Sequence, residues 1–353
     1  MRDRMAMLHR FTLLTSLAAL LGCAPGEPPS ATHLAPSCAP APAAEGFARR
    51  RSEAVTRLGE PVHSVVDAIA LPGESATVEA KLSYGPLSTD LEGEPVAAFL
   101  ETDECAWTAL GEGVTDGDGR VRFEVEAALL GAPGRYAVRV VVLGDGTHAD
   151  GAVHVLDPAA PLVVFDIDGT LTTSDVELVD GIVLHHVGST SDELYELAGS
   201  PLTREQWLLT LDQVLEEDAV IRPGAVDVAR EWEARGATPV YLTGRPYLYD
   251  GMTRRWLDAH ALPAGPLILV QDVRDSLPAR VDGYKAGHLE ALQARGLAIE
   301  AAYGNAHTDI CAYAEAGVPA ERTFIVGPNA GAACGEAPAT QAVEDYGAHL
   351  TEL

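Results

Sequence analysis

Basic residues are scarce in this 353-residue chain, which has 24 lysines and arginines against 52 aspartates and glutamates and a formal net charge of −28. A surface this acidic disfavours nucleic acid as a partner, and it also disfavours a diffuse electrostatic attachment to anionic lipid. Long apolar stretches are missing too, and no internal segment can span a bilayer. Binding of any anionic ligand must therefore depend on a local cation and a few well-placed lysine and arginine side chains.

Cysteine is also sparse, and Cys23 stands apart from the other four. It directly follows Leu20-Leu21-Gly22, after a basic start and an apolar run over residues 11–21. This pattern predicts a secretory signal peptide over residues 1–22. It resembles a bacterial lipobox, in which cleavage leaves Cys23 as a lipidated first residue; a simple signal peptide with an incidental cysteine is the alternative. The resemblance implies an exported lipoprotein anchored to a membrane through Cys23, on the periplasmic or cell-surface side.

The four remaining cysteines are Cys38, Cys105, Cys311 and Cys334. Export implies an oxidising compartment, where four cysteines allow three pairings. Pairing within each region favours Cys38 with Cys105 and Cys311 with Cys334. Buried free thiols are the alternative for the second pair.

The composition changes twice along the chain. Residues 23–60 are rich in alanine and proline, which predicts a tether, with a short basic helix over residues 47–58. Residues 61–157 contain short alternating runs such as Val121-Arg122-Phe123-Glu124-Val125, separated by turn clusters. Such runs predict a small Ig-like β-sandwich. The Asp116-Gly117-Asp118-Gly119 cluster lacks the later acidic ligands of a calcium loop and indicates a hairpin turn.

Residues 158–353 alternate between predicted strands and helices, which is typical of a Rossmann-like α/β domain with a parallel sheet and helices on both faces. The strands are expected at 162–165, 238–242, 266–270, 299–303 and 322–326, and the helices at 224–235, 252–260, 285–295 and 309–316. An insert over residues 175–220 is modest for a cap domain. It holds His185 and His186, interpreted as surface residues, and a predicted helix over 203–217.

Two aspartates follow the first strand of this domain. The apolar run Leu162-Val163-Val164-Phe165 ends in Asp166 and Asp168, and Gly169 and Thr170 come next. Because side chains of extended backbone alternate, both carboxylates can project to the same side at the strand's carboxyl end, where open α/β sheets bind ligands. The two would repel each other unless a cation lies between them or one takes a proton. An acidic turn after a strand is the alternative interpretation.

Further polar residues follow the later strands in a fixed order. They are Thr243-Gly244-Arg245 after the strand at 238–242, Lys285 at an expected helix start, and Asn305 and Asp309 after the strand at 299–303. This order of motifs resembles the haloacid dehalogenase superfamily of phosphotransferases.

The resemblance implies a role for each of these residues. Asp166 would be the nucleophile that forms an aspartyl-phosphate, and Asp168 the general acid and base. Mg²⁺ would be held by Asp166, the Asp168 backbone carbonyl and Asp309, with Asn305 as a ligand or an orienter of a metal-bound water. The phosphate would contact Thr243, the Gly244 amide at a helix start, Lys285 as a point charge and Arg245 as a bidentate clamp. Arg245 could instead serve only as a surface ion-pair partner.

A closer resemblance lies within that superfamily. Residues 166–175 and Gly251-Met252-Thr253-Arg254 are similar to lipin-type phosphatidate phosphatases. Residues 221–228, 240–246, 301–304 and 346–350 resemble the C-terminal lipin-like domain of membrane-associated phosphatidylinositol transfer proteins, a likeness that begins near Gly119. It implies a Mg²⁺-dependent phosphomonoester hydrolase with phosphatidic acid as the favoured substrate. The alternatives are a non-catalytic phosphatidic-acid-binding module and an exported phosphatase of small soluble esters.

Overall fold

The computed structural model describes residues 33–85, 88–173, 219–277 and 279–353. The predicted signal peptide and Cys23 lie outside these ranges. The predicted insert also lies outside them except for its last two residues, so the expectations for His185, His186 and the helix at 203–217 stay predictions.

The N-terminal domain consists of short strands in two main sheets. In chain order the described strands are β1 (Ser64–Val66), β2 (Ala68–Ala70), β3 (Ala76–Lys81), β4 (Ser83–Tyr84), β5 (Thr89–Asp90), β6 (Pro95–Asp103), β7 (Ala106–Val114), β8 (Arg120–Val125), β9 (Gly134–Val142) and β10 (His148–Val155). One sheet has the order β1-β3-β8, another has the order β2-β10-β9-β6-β7, and β4 pairs with β5. The predicted β-sandwich is confirmed, and its Ig-like topology stays a prediction.

The sandwich core lies between these two sheets. Val78 and Ala80 of β3 share one apolar cluster with Val138 and Val140 of β9. This is the expected result of alternation, because every second side chain of a strand faces the opposite sheet. The Asp116–Gly119 cluster does form a turn, with the Asp116 carboxylate accepting the Asp118 amide N–H at 2.9 Å. The turn joins β7 to β8, which lie in different sheets, so the expectation of a hairpin was wrong.

The described part of the predicted tether packs against both domains. The His33 amide donates to Asp258 Oδ1 at 2.6 Å, and the Glu45 amide donates to the Leu143 carbonyl at 2.8 Å. The predicted basic helix is present as α1 (Arg50–Val55), followed by a 3-10 turn over Thr56–Leu58. Residues 33–60 are therefore not a free linker, because backbone N–H groups of this segment donate to the folded domains and the His33 side chain is buried.

Both predicted disulfides are present. Cys38 pairs with Cys105 and so ties the N-terminal segment to the sandwich. Cys311 pairs with Cys334 in the C-terminal domain. The expectation of pairing within each region is confirmed.

The C-terminal domain contains a parallel sheet with the predicted βα alternation. Its described strands are β11 (Leu162–Phe165), β12 (Thr238–Pro246), β13 (Leu267–Val270), β14 (Ile299–Gly304), β15 (Thr323–Val326) and β16 (Gln341–Val343). Its described helices are α2 (Ala225–Ala234), α3 (Asp250–Ala259), α4 (Val281–Ala294), α5 (His307–Glu315) and α6 (Tyr346–Leu350). The strand order is β13-β12-β11-β14-β15-β16, and every pair is parallel.

This order places a switch point at the carboxyl ends of β11 and β14. After β11, the strands β12 and β13 are added on one side of it. The next strands, β14, β15 and β16, are added on its other side. Open α/β sheets bind ligands where the strand order reverses in this way. Alternate residues of β11 contact different helices, since Val163 and Phe165 cluster with residues of α2 and α3, whereas Leu162 and Val164 cluster with residues of α4 and α5.

A buried group of charges joins the two domains. Arg254 of α3 pairs with Asp250 one turn earlier at 2.7 Å and with Asp67, between β1 and β2, at 2.9 Å. Asp67 also accepts the Leu267 amide N–H at 2.9 Å and lies 3.3 Å from His154 Nε2. The sandwich and the parallel sheet therefore share buried polar contacts, and Ile69 and Leu71 also pack against an apolar cluster of the parallel-sheet domain.

Candidate active site

Asp166 lies at the switch point. It is the first residue after β11, and its amide N–H continues the pairing with β14 by donating to the Tyr303 carbonyl at 3.0 Å. Its carboxylate is buried, with Oδ1 accepting from Lys285 Nζ at 2.7 Å and Oδ2 accepting from the Thr170 hydroxyl at 3.0 Å. Burial raises the pKa of this carboxyl, an effect that Lys285 opposes. A second cation nearby would hold Asp166 in the ionised form that a nucleophile needs.

Lys285 bridges two carboxylates. Its Nζ lies 2.7 Å from Asp166 Oδ1 and 2.6 Å from Asp309 Oδ1. Burial by itself disfavours the ammonium, but the two carboxylates outweigh this effect, and the pKa of Lys285 is raised. α4 begins at Val281, so Lys285 lies in its second turn and not at the helix start that the sequence predicted.

Asp309 is held from both sides. It lies in the first turn of α5, and its Oδ2 accepts the amide N–H groups of Asn305 at 3.1 Å and Ala306 at 3.0 Å. These are among the amides that a helix start leaves without intrahelical partners. Gly304 makes this approach possible, because a Cβ at residue 304 would lie 2.6 Å from the Asp309 Cβ. Both Asp309 oxygens are thus engaged, one by Lys285 and one by the backbone.

Asn305 and Asp166 offer two oxygens to a single hydroxyl. Thr170 Oγ1 lies 3.0 Å from Asp166 Oδ2 and 3.0 Å from Asn305 Oδ1. A hydroxyl carries one hydrogen, so it can donate to only one of these acceptors at a time. A divalent cation bound by both oxygens would satisfy them together, and such oxygen ligands suit Mg²⁺.

Charge supports the same conclusion. Three carboxylates, those of Asp166, Asp168 and Asp309, face two cations, Lys285 and Arg245. When all three carboxylates are ionised, these five ion-paired groups carry one excess negative charge, which a bound cation would offset. The donor set and the charge both fit Mg²⁺.

Asp168 forms a bidentate ion pair with Arg245. Arg245 Nε donates to Asp168 Oδ2 at 2.7 Å, and Nη2 donates to Oδ1 at 2.7 Å. Arg245 Nη1 donates to the Thr253 hydroxyl of α3 at 3.1 Å. Burial would lower the pKa of Arg245, but Asp168 outweighs burial and the pKa is raised. Arg245 therefore forms an ion pair, but a buried one within the site and not the surface ion pair that was the alternative to a phosphate clamp.

Thr243 and Gly244 lie within β12. The strand continues to Pro246, and α3 does not begin until Asp250, so the expected helix start directly after Thr243 was wrong. The Thr243 hydroxyl accepts the Arg245 amide N–H at 3.2 Å, where the pairing of β12 with β13 is irregular between Leu242 and Pro246. A Cβ at Gly244 would lie 3.1 Å from Val281 at the start of α4, the helix that carries Lys285.

The motif loop after Asp168 is supported by residues to which sequence reasoning assigned no role. Arg222 donates to the Gly169 carbonyl at 2.5 Å and the Thr170 carbonyl at 3.2 Å. The Tyr346 hydroxyl donates to the Thr170 carbonyl at 3.2 Å. Arg222 and Tyr346 both lie in segments that carried the family resemblance, and that was the only available signal for them.

Two family models match the chain. Residues 205–327 match the model described as the LNS2 domain of PITM 1-3, and residues 61–155 match the PITM 1-3 beta-sandwich domain. The C-terminal domain thus contains a lipin-like LNS2 match over residues 205–327. The predicted resemblance to membrane-associated phosphatidylinositol transfer proteins is therefore confirmed. Its expected start near Gly119 was wrong, because the match already begins at residue 61.

Curated relatives match over most of this chain. Protein retinal degeneration B of Drosophila melanogaster is 31% identical over 295 residues, which cover 82% of this chain and 20% of that protein. Membrane-associated phosphatidylinositol transfer protein 1 of Homo sapiens is 30% identical over 287 residues, which cover 80% of this chain and 20% of that protein. The chain thus spans about a fifth of the length of these relatives.

Among solved structures, a substrate-bound phosphoserine phosphatase aligns with a TM-score of 0.29 and 16% identity. The alignment covers 47% of this chain and 86% of that one. At this score the likeness adds nothing to the fold described above.

Proposed function

We propose that this protein is a Mg²⁺-dependent phosphomonoester hydrolase that acts through an aspartyl-phosphate on Asp166, with phosphatidic acid as the favoured substrate. The observation that carries the proposal is the buried Asp166 carboxylate, held by Lys285 and Thr170 at the switch point. A surface acidic turn would have no need of a buried lysine that bridges two carboxylates. The set of polar groups matches what phosphoryl transfer requires, namely a nucleophile, a second carboxylate and placed cations.

The reaction has two halves. Asp166 attacks the phosphorus, the bond to the ester oxygen breaks, and the leaving oxygen takes a proton from Asp168. A water then attacks the phosphoryl group on Asp166 and gives its proton to Asp168, which returns the Asp166 carboxylate and releases phosphate. Lys285 keeps Asp166 in place throughout and offsets charge on the phosphoryl oxygens. Thr243 and the Gly244 amide supply further donors to those oxygens.

Asp166, the Asp168 backbone carbonyl and Asn305 would hold the Mg²⁺ ion. Asp309 would be a further ligand, because its Oδ1 accepts from Lys285 Nζ as Asp166 Oδ1 does, and such an oxygen keeps a second lone pair for a metal. Asp309 also fixes Lys285 and, through its Oδ2, the Asn305 backbone. When bound, Mg²⁺ supplies charge neutralisation for the transferring phosphoryl group.

A lipid substrate is favoured by the relatives and by the motifs. The curated relatives are named as phosphatidylinositol transfer proteins, and residues 166–175 and 251–254 are similar to lipin-type phosphatidate phosphatases. None of the helices in the described ranges is long and apolar enough to cross a membrane. Lipidation of Cys23 after export is the proposed route to a membrane surface.

The second candidate function is a non-catalytic module that binds phosphatidic acid, which the transfer-protein relatives favour. The carboxylate pair with its bridging lysine favours catalysis instead. The third candidate function is that of an exported phosphatase of small soluble esters.

A phosphate-release assay separates these candidates. The protein is incubated with phosphatidate vesicles, or with glucose 6-phosphate, in Mg²⁺ or in excess EDTA. We expect release from the vesicles that needs Mg²⁺ and is faster than release from the sugar phosphate. Release from the sugar phosphate alone would reject phosphatidic acid as the substrate but would support the assignment of the protein as a phosphatase. Vesicle binding without release from either ester would favour the binding module.

Substitution of Gly304 by alanine should strongly reduce this activity. The new Cβ would lie 2.6 Å from the Asp309 Cβ and 2.9 Å from Oδ2, so Asp309 and the Lys285 that it holds must shift. A displacement near 1 Å at a reacting centre costs about 100-fold in rate. Gly287→Ala is the matched control, because a Cβ at residue 287 meets nothing within 4 Å. Equal rates for the two variants would contradict the assigned role of Asp309.

A further inference from the structure

The Asp168–Arg245 pair differs from an ordinary surface ion pair. The side chains are 13% and 9% exposed, and their two parallel hydrogen bonds both measure 2.7 Å. The partners lie 77 residues apart, at the ends of neighbouring strands β11 and β12. A bidentate arginine fixes the plane as well as the position of a carboxylate.

Thr253 in turn fixes Arg245. Its side chain is fully buried in α3, and its hydroxyl accepts from Arg245 Nη1 at 3.1 Å. Three N–H groups of the guanidinium are therefore in use, and the Nε–Nη2 edge, which could clamp a phosphate bidentately, is filled by Asp168. Thr253, Arg245 and Asp168 form a chain of contacts that runs from α3 into the site.

We propose that Arg245 and Thr253 are positioning residues that hold the Asp168 carboxylate as the base for hydrolysis of the aspartyl-phosphate, and that Arg245 does not clamp the substrate phosphate. The inference rests on the proposed function. In the step concerned, the water oxygen bonds to phosphorus, the bond from phosphorus to Asp166 breaks, and the water proton moves to Asp168. An ionised carboxylate in a fixed plane is the form that this step needs.

An aryl phosphate isolates the step, because its aryl oxide leaves without needing a proton. With 4-nitrophenyl phosphate, kcat/KM reports phosphoryl transfer to Asp166, whereas slow water attack lowers kcat alone. We expect Thr253→Val to lower kcat about tenfold, the effect of one hydrogen bond. Arg245→Lys keeps the charge but cannot pair bidentately with Asp168, and we expect it to lower kcat about 100-fold. In both variants kcat/KM should stay within about twofold, so KM should fall with kcat.

A rapid-mixing measurement supplies the second readout. Both variants should release about one aryl oxide per protein molecule in a burst that precedes the slow steady state. Thr253→Ser keeps the hydroxyl and should restore kcat. Thr323→Val is the matched control, because this buried threonine donates to the Pro319 carbonyl and not to Arg245. It should change neither kcat nor the burst.

Other outcomes would overturn the inference. A fall of about tenfold or more in kcat/KM for Arg245→Lys, without a burst, would place Arg245 on the phosphate in the first step. Equal losses in Thr253→Val and Thr323→Val would indicate general damage to the fold. If the unsubstituted protein releases no aryl oxide, the proposed function and the inference are rejected together. This result can be distinguished from the two preceding ones, in which the unsubstituted protein is active.

Discussion

Replacement of Asp166 by asparagine should abolish phosphate release from aryl and alkyl phosphates alike, by at least about 10⁴-fold. The amide nearly keeps the shape of the carboxylate, and its oxygen can still accept from Lys285, but it is not a nucleophile. Inorganic phosphate should still bind, and more tightly, because one negative charge is gone. Turnover with saturating Mg²⁺ and phosphate binding by calorimetry are the two measurements.

Asp168→Asn should behave differently from Asp166→Asn. It keeps the nucleophile, so kcat/KM on an aryl phosphate should change little, whereas kcat/KM on phosphatidate should fall because an alkyl leaving oxygen needs a proton. Asp227→Asn, a substitution of an exposed aspartate on α2, is the control for loss of one carboxylate. Rates near those of the unsubstituted protein for Asp166→Asn on both esters would refute the aspartyl-phosphate mechanism.

The sequence predicted the centre of this site because its signals are local. The apolar run of β11 is buried at every residue and ends in the two aspartates, so strand, edge and carboxylates could be placed together. The order of the later motifs then predicted that Lys285, Asn305 and Asp309 would meet Asp166. The structure places Lys285 on Asp166 and Asp309, and Asn305 on Thr170, as a parallel sheet requires of residues at the carboxyl ends of its strands.

Other features could not be predicted because they depend on tertiary contacts or on weak local signals. The pairing of Arg245 with Asp168 joins residues 77 positions apart, and no spacing rule distinguishes a phosphate clamp from an ion pair. α4 begins at Val281 without a side-chain cap at Arg280, so nothing local marked its start. Strand β6 could not be predicted from alternation, because its segment Pro95-Val96-Ala97-Ala98-Phe99-Leu100 lacks alternating polar residues. Arg254 lies in a segment that carried the lipin resemblance, and no local pattern marked its burial between the domains.

Substitution of Arg254 by methionine, which removes the side-chain charge, should cause a large loss of stability. Arg254 is 1% exposed, and it pairs with Asp67 and Asp250, which are also buried. Burial raises the pKa of Asp250 to about 6 even though Arg254 lies beside it. Burial would also raise the pKa of Asp67, but Arg254 and His154 reverse this effect and lower it. Arg254→Met would therefore leave two buried carboxylates without their shared cation, at a cost of about 3–5 kcal/mol.

The measurement is the free energy of unfolding in urea, with Arg255→Met as the matched control. Arg255 is the next residue of α3 and is exposed, so its substitution should change stability by less than about 0.5 kcal/mol. Asp67→Asn and Asp250→Asn combined with Arg254→Met should recover part of the loss, since neutral side chains cost less to bury. Asp67 belongs to the sandwich and Asp250 to the parallel-sheet domain, so Arg254→Met should also split unfolding into two transitions. A single transition at the stability of Arg255→Met would show that the buried charges do not hold the domains together.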